Sequence, residues 1–393
     1  MASLKTTILG IEFENPFLLA SAPPTASIES IDKAFEMGWG GAVLKTITPD
    51  DLEMLEASPR YATIKEKGKV ICLQNIELLS HETIQYWVDG IKYLKEKHPS
   101  KVIIASIMAP VKKEEWQNLV HILNDTPIDA YELNFSCPHG MPEKNIGMAI
   151  GTSAEISTMI TSWVKSVAKK PVFVKLTPNV TNITWVAKAV EKAGVDGFAA
   201  INTVQSFMGI NLETLEPVLN IDGYSTYGGL SGEAVKPIGF KCVAQLRQNS
   251  DLPILGMGGI STWEDAAQYI ALGADAVQVC TEVMINGYGI INGLKTGLLN
   301  YLDSKGFNNI SELKNIAIPK ITSHEKLNKR SHLYPAIDKE KCVYCGKCAK
   351  ICSESEYHAL SLEKGCLNLN KEQCAGCSLC SHVCPKEAIK MCS

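Results

Sequence analysis

No stretch of this 393-residue chain reaches the roughly 18 uninterrupted apolar residues that a helix needs to cross a bilayer. A basic excess is also missing. The chain has 38 Lys and Arg against 42 Asp and Glu, a net charge of −4, so there is no electrostatic footprint for nucleic acid. The opening residues Met1-Ala2-Ser3-Leu4-Lys5 carry no apolar signal core, which argues against secretion. Neither a Gly-x-Gly-x-x-Gly after a strand nor a Gly-Lys-Ser/Thr phosphate loop occurs, and Gly256-Met257-Gly258-Gly259 does not complete the dinucleotide pattern. These absences imply that NAD(P)H does not bind this chain. What remains is ordinary globular composition, 46% hydrophobic and 20% charged, in a length that suits one large domain and a small one.

Cysteine, by contrast, is plentiful and ordered. Eight of the 14 cysteines form two runs, Cys342-x2-Cys345-x2-Cys348-x3-Cys352 and Cys374-x2-Cys377-x2-Cys380-x3-Cys384-Pro385. This spacing wraps three thiolates round one [4Fe–4S] cube and sends the fourth to its neighbour. Cys342, Cys345, Cys348 and Cys384 are therefore expected to hold one cluster, and Cys374, Cys377, Cys380 and Cys352 the other. Gly346 and Gly376 let the backbone bend close to the sulfurs. A zinc ribbon needs only four ligands with wider gaps between pairs, and a disulfide scaffold implies secretion. Ser353 rather than proline follows Cys352, while Cys366 and Cys392 lie outside the pattern. Oxygen-sensitive clusters and free thiols place the protein in a reducing cytoplasm.

Residues 1–308 alternate short apolar runs with longer amphipathic stretches. The runs are Phe17–Ala20, Ala42–Leu44, Val102–Ile107, Asp129–Leu133, Val172–Leu176, Gly197–Ile201, Pro253–Gly256 and Ala276–Val279. Helical stretches such as Thr83–Lys97, Ala154–Lys169 and Trp263–Leu272 separate them. Their apolar, β-branched character is that of a parallel sheet, and eight units make a (β/α)8 TIM barrel. A doubly wound sheet is the alternative, with fewer strands and a nucleotide fingerprint at its first turn. A polar linker, 309–336, and a two-[4Fe–4S] ferredoxin-like domain, 337–393, follow. No internal repeat is visible apart from the two cysteine runs.

Barrel chemistry sits at the C-terminal ends of strands, and all eight ends here are polar or glycine-rich. They read Ser21; Lys45-Thr46; Ser106; Asn134 to Gly140; Lys175 and Thr177; Asn202-Thr203; Met257-Gly258-Gly259; and Cys280-Thr281. Lysines inside apolar runs are expensive unless an anion or polarised ligand meets them; the alternative for Lys175 is a buried salt bridge. Gly258-Gly259, with a helix opening at Ser261 or Thr262, is the usual phosphate position in such barrels. Gly228-Gly229-Leu230-Ser231-Gly232 offers a second flexible backbone patch. A phosphate site, buried lysines and iron–sulfur clusters together suggest FMN, which takes single electrons and passes on hydride. Cys137, in a loop marked by Pro138, Gly140 and Pro142, is a candidate general acid or base unless it is a plain buried cysteine. His139 reads as a loop histidine. The carboxamides of Asn75, Asn134 and Asn202 match paired C=O and N–H edges of a planar substrate, though asparagine is also a common turn residue.

Asn134-Phe-Ser-Cys-Pro-His-Gly, Lys175-Leu-Thr-Pro-Asn, Asn202-Thr-Val, Tyr227-Gly-Gly-Leu-Ser-Gly, Leu255-Gly-Met-Gly-Gly-Ile and Val277-Gln-Val-Cys resemble the catalytic half of the dihydropyrimidine dehydrogenase family. The likeness runs from Asn15 to Cys384 and is closest to the bacterial subunit that carries FMN and two [4Fe–4S] clusters beside a separate FAD- and NAD(P)H-binding subunit. It implies reversible reduction of uracil or thymine to the 5,6-dihydropyrimidine, with Cys137 as general acid and, in reverse, base. It implies a pyrimidine site of Asn75, Glu77, Asn134, Ser136, Asn202 and Thr203. For FMN it implies Ser21, Lys45, Thr46, Lys175, Gly232, Met257, Gly258, Gly259, Cys280 and Thr281, with Lys175 near N1. The family is dimeric, so a homodimer core within a hetero-oligomer is expected. Two rivals stay open. One is a class 1 dihydroorotate dehydrogenase, whose carboxylate-bearing ligand calls for a pocket cation. The other is an electron-transfer subunit whose barrel is only a scaffold.

Overall fold

The computed structural model describes residues 2–52, 55–135 and 147–393. They fall into two compact units, Met1–Lys320 and Ile321–Ser393. The stretch expected as a linker is thus divided between them. Its early part packs with the barrel, where Ile310 and Leu313 are buried.

In the first unit, Phe17–Leu19, Gly41–Val43, Val102–Ile107, Ala130–Asn134, Val172–Leu176, Gly197–Ala200, Ile254–Met257 and Ala276–Val279 close a barrel. Neighbouring strands are parallel throughout and follow one another in chain order. The expected runs match these eight strands to within one residue at each end. Both faces of such strands are covered, so most positions are apolar, yet the two faces meet different neighbours. Leu18, Val43, Ile104, Ala130, Phe173, Ala199, Leu255 and Ala276 fill the barrel interior. The alternate residues, among them Leu19, Ala42, Ile103, Tyr131, Val174, Phe198 and Val277, pack against the outer helices.

Several of those helices begin where a side chain can satisfy their first amides. Thr83 Oγ1 accepts from Tyr86 N–H ahead of Ile84–Lys97, and Ser153 Oγ accepts from Ile156 N–H ahead of Ala154–Lys165.

Two sheets were not expected. Thr6–Ile8 and Ile11–Phe13 form a hairpin over a Leu9-Gly10 turn whose residues are both left-handed, at φ 53° and 79°. Its Ile8 and Phe13 join the barrel interior. The second sheet is antiparallel, in the order Val204–Ser206, Gly228–Ser231, Lys69–Asn75, Tyr61–Glu66. It inserts a Lys67-Gly68 hairpin between strands two and three and brings Asn75 and Glu77 to the C-terminal end of the barrel.

In the second unit Tyr334–Ile337 pairs with Ile389–Cys392, and Leu360–Glu363 with Cys366–Leu369. Short helices, Lys347–Glu354 and Leu379–His382, lie between. At the bends expected of Gly346 and Gly376 both glycines are left-handed, at φ 72° and 67°. They are not equivalent, however. Gly346 follows the second cysteine of its run and Gly376 precedes the second cysteine of its own. Their counterparts, Ser378 and Tyr344, are also left-handed, at φ 64° and 54°. Both bends therefore recur in both runs, and each run uses glycine for only one of them.

Candidate active site

Extending the two-residue alternation of each strand by one step puts polar groups on the inner face of the C-terminal end. Lys45 follows Val43, Ser106 follows Ile104, Asn134 follows Glu132, Lys175 follows Phe173, and Cys280 follows Gln278. Strand register places Asn134 beside Lys175. A chain of hydroxyls ties the first four strands together. Ser21 Oγ and Thr46 Oγ1 are 3.1 Å apart, Thr46 Oγ1 and Ser106 Oγ are 2.9 Å apart, and Asn134 Nδ2 donates to Thr46 Oγ1 at 2.9 Å.

A cavity in two adjoining parts opens above these groups. One part is walled by Lys45, Asn75, Glu77 and Asn134, the other by Gly232, Met257, Gly258, Gly259 and Thr281. Ser21, Lys175, Asn202, Ser231 and Cys280 line both. Every residue expected to bind flavin or pyrimidine lies on this cavity where it is described: Thr46 lines the first part and Thr203 the second. Ser136, Cys137 and His139 lie outside the described residues.

The glycine-rich part fits a phosphate. Gly232, Gly258 and Gly259 have φ of 90°, 118° and 75°, and a Cβ on Gly259 would come within 2.7 Å of Gly232 O. Tyr269 OH donates to the Met257 and Gly258 carbonyls at 3.1 and 2.7 Å, fixing the turn. One expectation needs correcting. The helix after this turn does begin at Thr262, but Asp265 Oδ2 already accepts the Ser261 and Thr262 amides at 2.9 and 3.0 Å. Those amides are satisfied within the helix, so the cradle consists of the glycine backbone and the start of the Thr281 segment.

In the other part the charges are paired. Glu77 accepts from Lys45 Nζ at 2.7 Å and from Tyr61 OH at 2.6 Å, and Arg60 Nε stands 3.1 Å from it. Burial pushes the Glu77 carboxyl up, but Lys45, Tyr61 and Arg60 together hold it below its ordinary value. Tyr61 is raised, by burial and by the hydrogen bond to Glu77. Tyr61 and Arg60 were not expected at the site. Their signal was the Lys-Gly hairpin that delivers them. Burial pushes the Cys280 thiol up to about 11 although Lys175 and Lys45 oppose it, which makes Cys280 a neutral wall group. Lys175 also makes the ion pair held open as its alternative role, with Glu132 at 3.4 Å.

Two further cavities lie in the second unit. Cys342, Cys345, Cys348 and Cys384 line one; Cys352, Cys374, Cys377 and Cys380 line the other. The helix from Lys347 to Glu354 spans the exchange, holding Cys348 at one cavity and Cys352 at the other. Val343, Leu362 and Ile389 shield the first set, and Ile351, Leu360 and Met391 the second. Cys384 Sγ also accepts the Ala388 amide at 3.3 Å, a bond suited to a ligand thiolate. Cys366 and Cys392 are exposed and line neither. Two separate sets of four thiolates in apolar walls fit two cubic clusters.

A barrel with a phosphate cradle and paired lysines, joined to two four-thiolate sites, defines a flavin-dependent iron–sulfur oxidoreductase. Comparison with known proteins makes this specific. Residues 3–302 match the dihydroorotate dehydrogenase family model, and residues 335–391 match the 4Fe-4S dicluster domain. The NAD-dependent dihydropyrimidine dehydrogenase subunit PreA of Escherichia coli is 37% identical over 91% of this chain and 87% of its own length. The chloroplastic dihydropyrimidine dehydrogenase (NADP(+)) of Arabidopsis thaliana is 38% identical over 83% and 80%. The catalytic subunit of dihydroorotate dehydrogenase B (NAD(+)) of Pyrococcus abyssi is 35% identical over 80% and 99%. The chain belongs to the dihydropyrimidine dehydrogenase family, within the wider dihydroorotate dehydrogenase fold family. It is an oxidoreductase whose cofactors are FMN and two [4Fe–4S] clusters. Among the described residues no helix is long and apolar enough to cross a membrane.

Proposed function

We propose that the protein reversibly reduces uracil or thymine to the 5,6-dihydropyrimidine in a reducing cytoplasm. Its electrons come through the two clusters from a separate subunit that binds FAD and NAD(P)H. Cys342, Cys345, Cys348 and Cys384 hold one cluster, and Cys352, Cys374, Cys377 and Cys380 the other. The observation that carries the reading is the amide-rich, charge-compensated wall of the cavity. Asn75, Asn134 and Asn202 line it with carboxamides, and the Lys45 charge is met by Glu77 at 2.7 Å. Such a wall suits a neutral ring with alternating C=O and N–H edges. It suits a carboxylate-bearing dihydroorotate less, because its cations are already paired. The likeness to dihydroorotate dehydrogenase B keeps orotate as the second reading.

FMN, once bound, would supply the hydride chemistry, and the clusters would supply its electrons. The chain supplies the rest. Gly232, Gly258 and Gly259 seat the phosphate. Lys175, which lines both parts of the cavity, would offer its positive charge to the N1 side of the bound flavin. The three asparagines and Thr203 orient the pyrimidine, and Cys137 donates a proton to C5 on the other face, or removes it in reverse. A positioned acid of this kind is worth roughly 10²–10⁴-fold. Cys137→Ala should leave flavin and iron content intact and slow pyrimidine reduction by that order; unchanged turnover would sink the assignment. Uracil rather than orotate should perturb the flavin spectrum of the wild type, and the reverse result selects the second reading.

A further inference from the structure

Strands four and eight stand opposite each other in the barrel, and a hydrogen bond reaches across the interior between them. Gln278 Nε2 donates to Glu132 Oε2 at 2.7 Å. Glu132 is 0% exposed and Gln278 1%. On strand five, next to strand four, Lys175 holds its ammonium 3.4 Å from Glu132 Oε1. That oxygen, like Gln278 Oε1, accepts no hydrogen bond among the described residues. The buried carboxylate is therefore offset by one amide donor and the charge of Lys175.

A carboxylate removed from water costs several kcal/mol unless it is compensated, and an apolar side chain of similar size generally serves a core at least as well. Its register neighbour on strand five, Phe173, is apolar, as are the interior residues Ile104, Ala130 and Leu255, while its neighbour on strand three, Ser106, is engaged with Thr46. Packing alone gives no reason for an acid here. Its location does. Lys175 lines both parts of the cavity and Gln278 lines the glycine-rich part, while Glu132 lies behind them and lines neither.

We infer that Glu132 is a positioning residue of the flavin site, the buried counter-charge that sets how much positive charge Lys175 presents to the cavity. The inference rests on the reading of that cavity as the FMN site with Lys175 at the N1 edge. Reduced flavin carries its negative charge at that edge. A bare lysine stabilises that charge fully, and a lysine with a carboxylate behind it does so less. Glu132 thus keeps the flavin potential low and the reduced flavin a readier hydride donor.

The test uses the holoenzyme with its clusters. Glu132→Gln keeps the shape and deletes the charge. Bound FMN should stay at the wild-type ratio to protein. The two-electron flavin potential, read by dye equilibration, should rise by the equivalent of about tenfold in the reduction equilibrium, or roughly 30 mV. Glu132→Asp withdraws the carboxylate by one methylene and should move the potential the same way by about threefold, roughly 15 mV. An unmoved or lowered potential in Glu132→Gln, or in Glu132→Asp should the first variant not fold, overturns the inference. So does a loss of thermal stability with an unmoved potential, which assigns Glu132 to the core alone. FMN lost from a Cys377→Ala variant but retained in Lys175→Ala and Gly259→Ala variants would instead overturn the placement of the flavin in the barrel.

Discussion

The two units of this protein are held together by different means. In the barrel unit, Trp39, Trp87, Trp116, Tyr131, Phe17 and Phe198 are among many large side chains buried completely, each worth about 1.5–3 kcal/mol or more in apolar burial. Polar residues gather at one end of the barrel, above an interior that is apolar apart from the buried Glu132, Gln278 and Lys175 group. In the second unit the buried cluster is only Cys348, Leu360, Cys380 and Ile389, and two of these four are cysteines that line the cluster cavities. Units with cores this small generally need a metal or disulfide staple. The barrel's core is thus made of its own side chains, whereas the small core of the second unit leaves room for its cofactors to complete it.

The largest expected effect breaks the second unit. Cys377→Ala removes one thiolate from the set of Cys352, Cys374, Cys377 and Cys380. Iron content should fall by about half or more, and electron delivery from the partner should drop below detection. Limited proteolysis should open residues 321–393 while the barrel stays resistant. Flavin reduction by excess dihydrouracil should persist, because it needs only the barrel. If flavin binding were lost with the cluster, the two units would not be independently stabilised and the contrast would fail.

The reasons for legibility differ in the same way. The eight barrel strands were readable because parallel strands buried on both faces are short apolar runs, such as Val102–Ile107 and Val172–Leu176. The x2 and x3 gaps of the cysteine runs lead to two expected sets of four, and the same two sets line the two cavities of the second unit. The sheet over the barrel mouth was not readable. In Tyr61–Glu66 only Ala62 is buried, so no hydrophobic run announces the strand. Nor was the contact between Glu132 and Gln278, which joins residues 146 apart across the barrel. Glu132 gave one local signal, a charge within an apolar run and two residues before Asn134, but its partners depend on barrel closure. Glu77 was legible as a cavity residue, but not as the anion that neutralises Lys45.

An intermediate effect is expected at that pair, and it should alter ligand choice without loosening the barrel. Glu77→Gln leaves Lys45 and Arg60 without their shared anion. Orotate binding should then gain about tenfold relative to uracil, as a paired cation becomes available to a carboxylate. Thermal stability should change far less than in Cys377→Ala. The pH dependence follows from the lowered Glu77 carboxyl. Because its folded value lies below the ordinary 4.5, the pair's contribution is fully present above that value and is lost only as pH falls through the folded value. Uracil preference over orotate should therefore be level from pH 5 to pH 8, as far as this pair sets it, and spectral titration at several pH values measures it. A preference that weakens within that range would mean that Glu77 is protonated there and does not hold Lys45.

The smallest effect belongs to Tyr61, which sharpens the contrast because it removes one hydrogen bond and nothing else. Its hydroxyl donates to Glu77 Oε2 at 2.6 Å, and Arg60 Nε lies 3.1 Å from the same oxygen. Tyr61→Phe keeps the ring on the cavity wall and leaves Glu77 with Lys45 and Arg60. A hydrogen bond of this kind contributes about 1 kcal/mol net, or roughly fivefold in an equilibrium constant. Here it should register in KM for the pyrimidine, since Tyr61 steadies a wall residue and does not transfer a proton. kcat should hold within about twofold, because the proposed proton donor is Cys137. A fall in kcat with KM unchanged would place Tyr61 in the proton transfer itself, and the acid assigned to Cys137 would have to be shared with it.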